Sequence, residues 1–186
     1  MDKRELRQDL FARLRTLDLE ERAGRSSAIR EFLRDDPDFR SARVVFSYLP
    51  LPTEPDLAPL LAETSGKTWA FPRVTIEDRL AFHLMDRTSD GNRGGHGIHE
   101  PDPLRHDEIA AGKADLILIP GVGFDSTTLA RLGRGKGHYD RFLAEALASP
   151  KPPRLVGVAF SLQLADVATE SHDVPMDRIL TDQGWI

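Results

Sequence analysis

The chain contains no cysteine, which excludes disulfides and thiolate–metal sites. Long apolar runs are also missing. The longest clean one is Leu116–Ile119, far short of the ~20 residues a membrane span needs. Positive charge is in deficit: 25 Lys and Arg stand against 30 Asp and Glu, a net charge of -5. That balance argues against bulk attraction to nucleic acid, which usually requires a basic surface. The opening MDKRELRQDLFARLR is charged from its second residue and has no apolar signal-peptide core. The expectation is a cytoplasmic protein with no nucleic-acid or membrane partner. A reducing compartment is compatible with the lack of cysteine. Its 186 residues suit one domain spanning 1–186.

Asp2 with Glu5, and Asp18 with Glu21, have capping-box spacing and predict two opening helices. On the first, a stripe begins with Lys3 and Arg7 and continues through Leu10, Leu14 and Leu17. Ile29, Phe32 and Leu33 give the second its apolar face. Arg43–Tyr48 reads as a strand, followed by a proline-rich turn at Pro50–Pro52. Asp56–Glu63 reads as a short helix. Thr68–Val74 and Leu80–Met85 form a strand pair around Glu77-Asp78-Arg79. The glycine-rich Asp90–Gly97 reads as a mobile loop. Asp115–Pro120 and Leu155–Phe160 read as strands buried on both faces, separated by a long polar loop and a helix over His138–Ala148. Helices alternating with buried strands predict a layered α/β fold, with a mainly parallel sheet flanked by helices. Functional loops of such sheets follow the carboxyl ends of strands.

The segment from Arg131 to Arg141 is the most informative. Gly133, Gly135 and Gly137 alternate with Arg134 and Lys136, and four basic side chains face one acid. Glycines let a backbone approach a ligand closely. Successive exposed N–H groups make an anion-binding concavity, and the helix that follows adds the positive end of its dipole. The spacing matches neither a Walker A loop nor the dinucleotide fingerprint. Taken alone, it fits either a phosphate cradle or a solvated glycine-rich turn. Lys3 and Arg7, four residues apart, likewise fit either an anion site or cations paired with nearby acids. His96, His99 and Glu100 sit among Gly94, Gly95 and Gly97. Those glycines disfavour the helix that would bring the histidines together for a metal.

Pro120-Gly121-Val122-Gly123-Phe124-Asp125, followed by Arg131 through Leu143, closely resembles the signature of the 5-formyltetrahydrofolate cyclo-ligase family. The resemblance extends to Lys3–Arg7, Tyr48–Glu54, Phe71-Pro72-Arg73-Val74 and Gly97-Ile98-His99-Glu100-Pro101. It continues through Gly157-Val158-Ala159-Phe160, Gln163, His172-Asp173 and Ile179–Asp182. Two positions depart from the family pattern. Leu129 stands where the family usually has glycine, and Pro55-Asp56 stands where an apolar residue more often precedes the Asp.

The resemblance implies an ATP- and Mg²⁺-dependent cyclisation of 5-formyltetrahydrofolate to 5,10-methenyltetrahydrofolate, with release of ADP and phosphate. It also implies a fold like that of sugar-phosphate isomerases and CoA transferases. By the same resemblance, Lys3, Arg4, Glu5, Leu6 and Arg7 contact ATP, together with Arg131, Leu132, Gly133, Arg134, Gly135, Lys136, Gly137, His138 and Tyr139. Leu49 and Glu54 bind the folate, as do Arg134, Gly135, Lys136, Gly137 and His138. Asp140 and Asp173 hold Mg²⁺. Arg134 and Lys136 are the expected catalytic residues, and a monomer is the expected state. Competing readings are an ATP-independent phosphosugar isomerase or CoA transferase, a noncatalytic folate-binding module, and an enzyme for another formylated or amide substrate.

Overall fold

The computed structural model describes residues 2–87, 91–93, 99–170 and 173–186. Helix α1 spans Lys3–Arg15 and starts where the capping box predicts. The Asp2 carboxylate accepts from the N–H groups of Arg4 and Glu5, and Glu5 accepts from the Asp2 N–H. Helix α2, Leu19–Asp35, repeats the device with Asp18 and Glu21. A five-residue helix α3, Pro37–Ser41, then leads into strand β1, Val44–Phe46. Helix α4 covers only Pro59–Glu63 of the helix expected from Asp56. Pro59 has no N–H to donate and suits a first turn, so the helix begins there.

Strands β2 (Thr68–Val74) and β3 (Leu80–Leu84) pair antiparallel, as predicted. Short strands β4 (Asn92–Arg93) and β5 (His99–Glu100) pair with each other. They flank the glycine-rich stretch, and Gly94, Gly95, His96, Gly97 and Ile98 lie outside the described residues, as does His172. Strand β6 (Glu108–Ile109) precedes β7 (Leu116–Pro120). The long polar loop expected after β7 contains a hairpin of β8 (Gly123–Phe124) and β9 (Arg131–Leu132). Helix α5 (His138–Leu147), β10 (Arg154–Val158), β11 (Arg178–Thr181) and β12 (Gly184–Trp185) complete the chain.

The main sheet has the order β12-β11-β10-β7-β1-β2-β3-β6. Its five central strands, β11 to β2, run parallel, and the outer pairings β11–β12, β2–β3 and β3–β6 are antiparallel. Both faces are covered, so the central strands are apolar on both sides. Leu116 and Leu118 of β7 join one core cluster with Ile29 and Leu33 of α2. Ile117 and Ile119 join the other with Phe142 and Leu143 of α5. On the α5 side, Phe82 stacks close to both Phe46 and Phe142, with ring centroids 4.7 and 4.6 Å away.

The order also fixes where a ligand can enter. From β1 the chain moves outward to β2, whereas from β7 it moves the opposite way to β10 and β11. The carboxyl ends of β1 and β7 therefore flank a topological switch point, where loops diverge and leave a crevice.

Candidate functional site

A cleft of 660 Å³ opens at this switch point, a size suited to small-molecule ligands. Its floor comes from Pro120, Gly121 and Val122 after β7, and the loop after β1 supplies Tyr48, Leu49, Leu51 and Glu54. Pro72, Arg73, Val74 and Leu80 of the β2–β3 hairpin form a side wall. Lys3 and Arg7 enter from α1, Glu170 and Asp173 from the segment after β10, and residues 131–140 complete the rim.

Helix α1 is held over the site by its leucine stripe. Leu6 and Leu10 pack with Val122, Ala130, Leu132 and Val167, each buried leucine contributing about 1.5–3 kcal/mol. A side chain at Gly123 would meet the Leu10 methyl at 2.5 Å, so glycine is what permits this close approach. Lys3 and Arg7 thus point into the cleft, while Leu6 faces the core and Arg4 and Glu5 lie outside the lining. Gln163, buried behind the floor, donates from its amide to the carbonyls of Gly121 and Val122 at 2.8 and 3.2 Å. Asp125 fastens the β8–β9 turn by accepting from the N–H groups of Thr127, Thr128 and Val167. Those backbone bonds, that to Thr128 first, hold its carboxyl below the ordinary aspartate value.

The glycine loop adopts the conformations its composition predicts. Gly135 and Gly137 have φ of 96° and 67°, and Gly137 caps α5. Arg7 donates from Nε to the Gly133 carbonyl at 2.8 Å, fixing one end of the loop to α1. Lys136 is exposed, and its ammonium has no hydrogen-bond or ion-pair partner among the described residues. Arg134 reaches across the cleft to Glu54 Oε1 at 3.2 Å, and Glu54 Oε2 accepts from the Leu51 N–H. Tyr48 shapes that turn by donating its hydroxyl to the Pro55 carbonyl.

Leu129 has φ of 57°. The departure from glycine noted in the sequence therefore falls on a left-handed position, where a Cβ costs about 1–2 kcal/mol. Its N–H donates to the Asp125 carbonyl, its carbonyl accepts from Met176, and its side chain packs on the α5-side core. Of these contacts, only the side-chain packing would be lost with glycine.

The charged groups are mostly paired. Lys3 lies 2.7 Å from Glu170 and 2.9 Å from Asp173. Burial works against its charge, but these bonds raise its pKa above the ordinary lysine value. Asp140 accepts from Arg131 at 2.9 Å, and Arg131 stacks over the Tyr139 ring at 5.2 Å. The Tyr139 hydroxyl and Arg131 Nε are buried without a hydrogen-bond partner among the described residues. Burial, and then the charge of Glu54, raise the Tyr139 pKa above that of free tyrosine. No cluster of three or more His, Asp or Glu suited to a metal occurs among the described residues.

The sequence profile of the 5-formyltetrahydrofolate cyclo-ligase family matches residues 1–182. The chain belongs to this family. Among relatives, the mouse (Mus musculus) 5-formyltetrahydrofolate cyclo-ligase is 27% identical over 98% of this chain and 94% of its own length. That of Mycolicibacterium smegmatis is 32% identical over 99% and 95%. The 5,10-methenyltetrahydrofolate synthetase of Aquifex aeolicus has a solved structure that superimposes with a TM-score of 0.85 at 30% identity, covering 100% of this chain and 92% of that one. These relatives are enzymes, and the mainly parallel α/β fold is theirs too. Of the family-derived site residues, the cleft gathers Lys3, Arg7, Leu49, Glu54, Asp173 and the whole of 131–140. Arg73, Glu100 and Glu170 also line it but carried no assignment in the sequence. Of these, Glu100 stands in the sequence with His96 and His99, the combination whose glycines disfavour a metal site. His96 and the side chain of His99 lie outside the described residues. No helix among the described residues is long and apolar enough to cross a membrane.

Proposed function

We propose that this chain, as a monomeric cytoplasmic enzyme, uses Mg²⁺ and ATP to cyclise 5-formyltetrahydrofolate to 5,10-methenyltetrahydrofolate, releasing ADP and phosphate. The observation that carries the reading is the pairing across one cleft of a glycine-rich cationic loop with a buried carboxylate, Glu54.

The chemistry requires activation. A formamide carbonyl is a poor electrophile and its oxygen a poor leaving group. Transfer of the γ-phosphoryl group to that oxygen gives an iminium phosphate. N10 of the same folate then attacks the formyl carbon and loses its proton, and phosphate departs with the former formyl oxygen. The protein's work is positioning and charge stabilisation. In this account, Lys3, Arg7 and the 133–137 amides receive the nucleotide phosphates. Arg134 and Lys136 follow the transferred charge. Glu54 accepts paired N–H bonds from the pterin-like ring beside Leu49. Ligand polar groups complete the Tyr139 hydroxyl and Arg131 Nε.

The donor set suits Mg²⁺, which takes oxygen ligands and usually one or two carboxylates alongside phosphates. Asp140 and Asp173 are the residues that would hold it, and Lys3 already sets a positive charge beside Asp173. Bound there, the ion would neutralise phosphate charge. Lys3 and Arg131 balance these acids in the free protein, so nucleotide binding exchanges partners rather than filling a bare acidic pocket.

The test is to incubate the protein with 5-formyltetrahydrofolate, Mg²⁺ and ATP, following methenyl-folate absorbance together with ADP. One ADP per methenyl-folate is expected. Product without nucleotide would overturn the reading, and ADP release unaffected by folate would indicate a simple ATPase instead.

A further inference from the structure

We propose that the tip of the β2–β3 hairpin clamps the glycine loop, with Asp78 as the positioning residue. The functional part of this inference rests on reading that loop as the phosphate site.

Two glycines in left-handed conformation, with an exposed lysine between them, give the 133–137 loop little side-chain packing of its own. Its shape must be imposed from outside. Arg7 does so at the first end, through the Gly133 carbonyl. The hairpin does so at the second. Asp78, at φ of 59° in the turn that Thr75 and Arg79 close, presents both its carboxylate oxygens and its main-chain carbonyl toward α5, with Oδ2 3.7 Å from the Arg141 guanidinium. Its carboxylate lies 2.9 Å from His138 Nε2, and its main-chain carbonyl accepts from Arg141 at 3.1 Å. A carboxylate can only accept, so the His138 proton of this bond resides on Nε2. Arg141 also donates to the Lys136 carbonyl at 3.1 Å. The hairpin tip is therefore linked through one guanidinium to the backbone of the residue assigned to the transferred charge.

Exposure separates this role from a stabilising one. The Asp78 side chain is 72% exposed and that of His138 only 12%. An ion pair at such a surface adds little to global stability. What it fixes is local: the first turn of α5 and the loop that enters it. The same hairpin supplies Pro72, Arg73, Val74 and Leu80 to the cleft wall. Asp78 thus keeps that wall and the loop in register.

The experiment compares Asp78→Gly with Asp78→Asn. Glycine keeps the left-handed turn and the main-chain carbonyl but removes the carboxylate. Asparagine keeps an acceptor for His138. Hydrogen–deuterium exchange of residues 133–139, without substrates, reports on the clamp itself, even if the parent proves inactive on folate. Asp78→Gly is expected to speed that exchange at an unchanged melting temperature. It should also lower kcat by about tenfold, as a misplaced loop does, with the folate KM nearly constant. Asp78→Asn should restore most of the protection and rate. Unchanged exchange in Asp78→Gly overturns the proposal. So does an equal loss in both variants accompanied by a lower melting temperature, which would make Asp78 an ordinary turn residue.

Discussion

Glu54→Gln should weaken folate binding without weakening nucleotide binding. On the proposed assignment Glu54 lies at the join between them; its side chain is 8% exposed, and one of its oxygens holds Arg134 at 3.2 Å. The substitution keeps size and hydrogen-bonding capacity but removes the charge. On the folate side it loses a charge-assisted acceptor, worth about 1.5–3 kcal/mol, or roughly tenfold to a hundredfold in affinity. On the nucleotide side it releases Arg134 from a competing partner. Arg134 is 48% exposed, so that pair is discounted to at most about 1 kcal/mol. Nucleotide should then bind equally well or up to about fivefold more tightly. Separate calorimetric titrations with 5-formyltetrahydrofolate and a non-hydrolysable ATP analogue measure both quantities. A variant that loses nucleotide affinity as much as folate affinity would refute the reasoning and assign Glu54 to the nucleotide side.

Lys136→Ala should reduce the single-turnover rate at saturating substrates by about a hundredfold, with Lys136→Arg recovering only part of it; a folded alanine variant with an undiminished rate would leave the loop a binding cradle only. Asp140→Asn and Asp173→Asn should each raise the Mg²⁺ concentration for half-maximal rate by at least about tenfold, and unchanged titration curves would remove both as ligands. Asp140→Asn also deprives the buried Arg131 of its partner, so it alone should cost roughly 1–3 kcal/mol, read as a melting temperature about 2–10 °C lower. Gly123→Ala should destabilise by about 1–3 kcal/mol by pushing Leu10 and the Gln163 carbonyl away, and an unchanged denaturation midpoint would show that α1 yields freely.

The local elements were legible because local physics makes them. Asp2 and Glu5 announce the start of α1, and the apolar run at Leu116–Ile119 becomes the doubly buried β7. The glycine loop was legible as a backbone feature, since only glycine adopts the φ of 96° at Gly135 without strain. Elements defined by distant partners were not. Strands β8 and β9 have two residues each and exist because Gly123 and Leu132 pair across a turn. Neither has enough length to show a period. Helix α3 did carry a signal, an Asp36 cap with proline at the first turn, but it is too short for an apolar stripe. At the site, the glycine loop with Lys3 and Arg7 was legible as an anion-site candidate, the individual roles came only through family resemblance, and the partners were not legible at all. Lys3 meets Asp173 across 170 positions and Arg134 meets Glu54 across 80. Such pairings follow from the sheet order, which no spacing along the chain encodes. Leu129 shows the converse case. The sequence marked it as a departure, and its left-handed backbone explains why glycine is the easier residue there.

The central claim is that ATP activates the formyl oxygen. Following that oxygen tests the claim most directly. With 5-formyltetrahydrofolate carrying ¹⁸O in the formyl group, the phosphate released by the protein is predicted to contain one ¹⁸O atom per methenyl-folate formed. Unlabelled phosphate, with the ¹⁸O recovered in water, would contradict the account.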